Sequence, residues 1–111
     1  SPPKLLHVTP DECEPAPLRE ISGSFYLRLS VDDRPGQLAK VAECLADHDV
    51  SLATVSQTPN DEKQSASIIL TTHQTNEHSI GLAINSLEKL DGVKEKPVLF
   101  RMFDPNGFIE K

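Results

Sequence analysis

Between Phe25 and Leu45 the apolar spacing changes from every second residue to the spacing of one helix face, and the change falls across a single break, Asp32-Asp33-Arg34-Pro35-Gly36. Phe25, Leu27, Leu29 and Val31 alternate with Tyr26, Arg28 and Ser30, the pattern of a strand with one buried face. Leu38, Val41, Ala42 and Leu45 then recur as one side of a helix, expected from about Pro35 to His48. Pro35 suits the first turn, where its missing N–H costs nothing. Asp33 suits the N-cap, and His48 the electronegative end. A strand running straight into an amphipathic helix requires that helix to lie back over the strand's apolar face.

The remainder repeats this logic. Val50 to Gln57 reads as a second strand, with Val50 and Leu52 in one phase and Ala53 and Val55 in the other. Either both faces are partly covered or a bulge shifts the register. Thr58 to Lys63 reads as a turn, and Ala66, Ile68 and Leu70 as a third strand antiparallel to the second. Ile80, Ala83, Ile84 and Leu87 mark a second helix, capped by Thr75 or Asn76 and ended at Asp91-Gly92. Val98 to Phe103 is a fourth strand, and Pro97 at its start argues for an edge position. Right-handed crossovers put both helices on one face of the sheet. The expected fold class is α+β: a ferredoxin-like βαββαβ two-layer sandwich, antiparallel, with sheet order 4-1-3-2 counted over these four strands.

The length of 111 residues suits one domain. Five of the nine prolines fall in the first seventeen residues, so 1–23 is expected to be a linker or extended arm from a missing catalytic domain. Residues 24–104 form the domain, and 105–111 a tail. A net charge of −6 argues against nucleic acid and anionic membrane as partners. No apolar run approaches the roughly 20 residues of a membrane span. Ser1-Pro2-Pro3-Lys4 is not followed by a signal-peptide core, so a cytoplasmic fragment of a longer chain is expected. Cys13 and Cys44 form no CxxC, and with His7, His48, His73 and His78 build no zinc pattern. They are expected to be two thiols, one in the arm and one on a helix.

The five glycines are isolated, so neither a dinucleotide nor a P-loop fingerprint exists, and no hydrolase motif is present. No catalytic residues, metal site or cofactor site are expected in this piece. What remains is the break at Asp32–Gly36. Gly36 admits a ligand to the backbone, the amides at the helix start suit a small anion, and Asp33 can accept from an ammonium group. Together these suit a free amino acid. A capped turn into a helix has the same composition, so the loop alone leaves both readings open.

Ser24 to Gln57, reading SFYLRLSVDDRPGQLAKVAECLADHDVSLATVSQ, resembles the ACT domain, the regulatory module of amino-acid-metabolism enzymes. The strand into DRPG, the helix with L-A-x-V-A-x-x-L and the following D-V-S-L carry the resemblance. The later T-H-x-T segment, the V-x-x-x-P-V-L-F-R-M strand and Pro17 to Ile21 resemble the ACT region that ends bacterial homoserine dehydrogenases. The resemblance implies a parent oxidoreductase of threonine and methionine biosynthesis, with NAD(P) bound in the missing domain. It implies a free amino acid as effector, threonine first, and a homodimer through the second strand, Val50 to Gln57. The implied effector site is Asp33, Arg34, Pro35, Gly36, Gln37 and Leu38, with Val50, Ser51 and Leu52 from the partner. Ser51 stands where many such sites have Asn, and Asp49 where Gly is usual. The alternatives are an ACT domain that only dimerises, or one from another amino-acid enzyme or a stringent-response synthetase.

Overall fold

The computed structural model describes residues 3–10 and 22–103. Cys13, Leu18, Ile21 and the tail lie outside the described residues. The elements are β1 (Lys4–Val8), β2 (Ser22–Asp32), α1 (Gln37–Asp47), β3 (Leu52–Asn60), β4 (Ser65–Thr72), β5 (Thr75–Asn76), α2 (Glu77–Glu88) and β6 (Val98–Phe103). The sheet order is β1-β6-β2-β4-β3, with β5 paired to the start of β2. The expected four-strand order is therefore present as β6-β2-β4-β3, and the ferredoxin-like α+β class holds.

The addition is β1. Residues expected to lie in an extended arm pair antiparallel with β6, Lys4 opposite Phe103 and Val8 opposite Leu99. β6 is thus not the edge that Pro97 suggested. Pro97 precedes the first paired residue, so its missing N–H removes nothing from either ladder. The second strand also runs past its expected end, to Asn60, because Pro59 sits in a strand whose outer side has no neighbour among the described residues. The mixed phase of that strand resolves into a register shift between Leu52 and Thr54.

One face of the sheet carries the core. Phe25, Leu27, Leu29 and Val31 of β2 lie beside Ala66, Ile68 and Leu70 of β4, and both helices cover them with Val41, Leu45, Ile80, Ala83, Ile84 and Leu87. The Val, Leu, Ile and Phe side chains among these are out of water, a gain of roughly 1.5–3 kcal/mol apiece before entropy. Close helix contact is visible at Cys44, whose Sγ lies 4.0 Å from the Ala83 carbonyl oxygen. On the other face Tyr26 and His7 pack against the Phe100 ring, and Arg28 lies over it at 5.9 Å.

The helix ends follow local chemistry. Asn76 caps α2 by accepting from the His78 and Ser79 amides at 2.7 and 3.3 Å. At the far end of α1, Asp49 takes φ 60, with its N–H on Ala46 O and that of Val50 on Leu45 O, both at 2.9 Å. This is the left-handed cap that Asp tolerates in place of Gly.

Candidate functional site

The start of α1 departs from the expected cap. The helix begins at Gln37, two residues later than Pro35, and its N-cap is Gly36 at φ 84, with no side-chain capping bond. Pro35 fixes the turn before it, and the Gln37 amide bonds back to Arg34 O at 3.3 Å. Asp33 therefore does not cap the helix. Its carboxylate is left on the surface, while the opening amides of α1 have no side chain closing them off. A Cβ built at Gly36 would meet nothing within 4 Å, so the backbone is open to an incoming molecule here.

Charges around the loop are unevenly matched. Asp32 pairs with Lys94 at 3.1 Å and with Arg34 at 3.4 Å, and Arg34 also reaches Asp91 at 3.1 Å. Asp33 takes part in no ion pair among the described residues. These exposed bridges add little stability, but they fix where Arg34 points.

Two clefts meet at Asp33 and Arg34. The first, about 560 Å³, is lined by Asp33, Arg34, Pro35, Gly36, Leu38, Ala39, Ala42 and Gln57. The second, about 460 Å³, lies toward the β3–β4 turn and is lined by Asp32, Asp33, Arg34, Asp61, Lys63, Gln64 and Lys94. The second is polar throughout, and its Arg34 and Lys94 are already paired with carboxylates. The first combines a free carboxylate, an uncapped helix start and an apolar wall, which is the combination a small zwitterion with a short side chain requires.

Five of the expected residues, Asp33, Arg34, Pro35, Gly36 and Leu38, thus come together in one cleft. Gln37 does not join them: it is 2% exposed, turned inward, and its Nε2 donates to Asp91 O at 2.8 Å. Val50 is 3% exposed within its own core, so its side chain is not available to another subunit. Ser51 is exposed and its carbonyl accepts from the His73 amide at 2.9 Å, while Leu52 is half-buried against the core. Gln57, Ala39 and Ala42 also line this cleft and carry no site signal in the sequence. Ala42 belongs to the helix stripe and reads as core, and Gln57 reads as an ordinary polar strand residue until β3 is placed beside the helix start.

The chain carries no cluster of His, Cys, Asp and Glu suited to a metal among the described residues. No helix there is long and apolar enough to cross a membrane.

The family model of the ACT domain matches residues 25–92. The homoserine dehydrogenase of Neisseria gonorrhoeae is 37% identical over 86 residues, which cover 78% of this chain and 20% of that relative. That of Helicobacter pylori is 35% identical over 94 residues, 85% of this chain and 22% of the relative. Among solved structures, a homoserine dehydrogenase from Thiobacillus denitrificans superposes with a TM-score of 0.66 at 36% identity, covering 78% of this chain and 19% of that one. An uncharacterized protein from Thermotoga maritima, at 22% identity and a TM-score of 0.59, shares the fold over 73% of this chain and 98% of its own. The chain spans about a fifth of the length of the curated relatives it matches.

Proposed function

This chain belongs to the ACT domain family, and on that premise we propose that it is the amino-acid-sensing regulatory part of a homoserine dehydrogenase, with threonine as its effector. The observation that carries the reading is the unpaired Asp33 carboxylate beside an uncapped helix start. The ligand's ammonium group donates to Asp33, and its carboxylate accepts from the opening amides of α1 across the bare Gly36. A short side chain then lies along Leu38 and Ala42. The Gln57 carboxamide, with both donors and an acceptor, answers a side-chain hydroxyl.

Under this proposal two copies pair through β3, whose residues from Ala53 to Asn60 are all exposed and whose outer edge has no strand beside it among the described residues. Ser51 and Leu52 of a second copy then close the cleft. The reduction of aspartate semialdehyde, and the nicotinamide that supplies its hydride, belong to the parent beyond this chain. The isolated glycines here fit no pyrophosphate cradle. A cytoplasmic location accompanies such a biosynthetic role.

The bare β3 edge also favours a second reading, in which the domain serves only to pair subunits. Thermal melts with a panel of free amino acids separate the two. A ligand that binds only the folded state raises stability by about 2.7 kcal/mol at one hundred times its Kd. Threonine at millimolar concentration is expected to raise the melting temperature. Flat melts across the panel would leave pairing as the function, and a stronger rise with another amino acid would point to a different parent enzyme.

A further inference from the structure

The α2–β6 connection is tied to the candidate effector loop at every level of the chain. The Asp32 amide donates to Gly92 O at 2.7 Å, and the Lys94 amide to Ser30 O at 2.8 Å. Val31 and Val93 form an isolated antiparallel bridge. Side chains add Arg34 to Asp91 and Lys94 to Asp32, both at 3.1 Å. These side-chain bridges are exposed to solvent and screened.

Gln37 is different in kind. Its side chain is buried at the first position of α1 and donates to the Asp91 carbonyl across 54 residues of sequence. Gly92 presses against it: at φ 95, a Cβ on Gly92 would overlap the Gln37 carboxamide. A buried amide in such a position is costly unless its partner stays in place, so the bond holds the turn and the helix start at one fixed separation.

We infer that Gln37 is a positioning residue that makes the Asp32–Gly36 loop and the Asp91–Lys94 turn a single body, so that a ligand ordering the loop also orders the turn. The part concerning a ligand rests on the amino-acid reading above; the clamp itself does not. The consequence is a direction for the signal. The turn leads into β6, and β6 carries β1 on its outer edge.

Amide hydrogen exchange on the full chain tests this, comparing wild type with Gln37→Leu, which keeps the bulk and removes the donor, and with Gln37→Asn as a conservative control. Without ligand, Gln37→Leu is expected to speed exchange at the Asp32 and Lys94 amides together, by roughly tenfold or more, while the Ile68 amide in β4 is unchanged. Unchanged exchange at Asp32 and Lys94 overturns the clamp, as does a uniform rise that includes Ile68. With L-threonine added, wild type is expected to slow exchange in both segments, and Gln37→Leu in the loop alone. Equal slowing of both segments in both proteins also overturns it. If threonine changes nothing in wild type, the effector reading fails, and the ligand-free comparison still decides the clamp.

Discussion

At the residue scale, the buried Gln37 carboxamide and the buried Cys44 thiol set conditions that substitution or pH can reach. Gly92 needs a positive φ and leaves no room beside Gln37, so Gly92→Ala is expected to cost more than the roughly 1 kcal/mol of left-handed strain alone. Chemical denaturation of Gly92→Ala in wild-type and Gln37→Ala backgrounds checks this. The penalty should shrink when the carboxamide is gone, and equal penalties would show that the two residues do not meet. Burial pushes the Cys44 thiol above its ordinary value of about 9, and Asp47 adds repulsion. The folded state therefore holds this proton more tightly than the unfolded chain does. The associated stability is complete below about 9 and is lost as pH rises through the raised folded value. Denaturation midpoints should fall more steeply above that point in wild type than in Cys44→Ala, and parallel curves would mean the thiol is not buried. At this scale the sequence was legible where a side chain acts on its own neighbours, as at Asn76 and Asp49. It was not legible at Gln37, because a glutamine beside a helix start reads as solvated. Only a turn 54 residues away makes it internal.

At the scale of elements, the helix caps and the first strand carry separate tests. Asn76 closes α2 through two amides, so Asn76→Ala should lose about 1 kcal/mol and Asn76→Gly only a few tenths. Equal losses in urea melts would mean that the side chain does not cap. β1 buries Val8 against the core and leaves Lys4 to His7 exposed. Removing residues 1–10 is expected to lower the melting temperature while keeping the helical circular dichroism, and a shortened chain that melts like the whole would remove β1 from the folded unit. The same burial pattern explains why Lys4–Val8 reads as part of an arm in the sequence. One buried residue in five shows no period, and its pairing partner lies some ninety residues later. β2, β4 and α2 were legible because each sets one full face against the core. β3 was legible only in part, since a strand exposed on both sides has no alternation to reveal where it ends.

On the scale of the whole molecule, the helices cover one face of the sheet, the loop at Asp32–Gly36 meets β3 at one corner, and β3 forms one of the two edges of the sheet among the described residues, β1 the other. That corner becomes a shared site only if two copies pair there. Sedimentation at micromolar concentration is expected to show a dimer for wild type and a monomer for Val55→Lys, which places charge in the middle of β3. A wild-type monomer, or a Val55→Lys dimer, would put the contact elsewhere. The cleft itself was legible as a motif, DRPG between strand and helix, whereas Gln57 entered it only through tertiary placement. Whether this cleft receives a free amino acid is read residue by residue from a titration of isotopically labelled protein with L-threonine, followed amide by amide in NMR spectra. Saturable shifts concentrated at Asp33, Arg34, Gly36 to Ala39 and the Gln57 side-chain amide, abolished by Asp33→Ala, are predicted. Shifts confined to the polar cleft at Asp61–Gln64, or none at millimolar ligand, would contradict it.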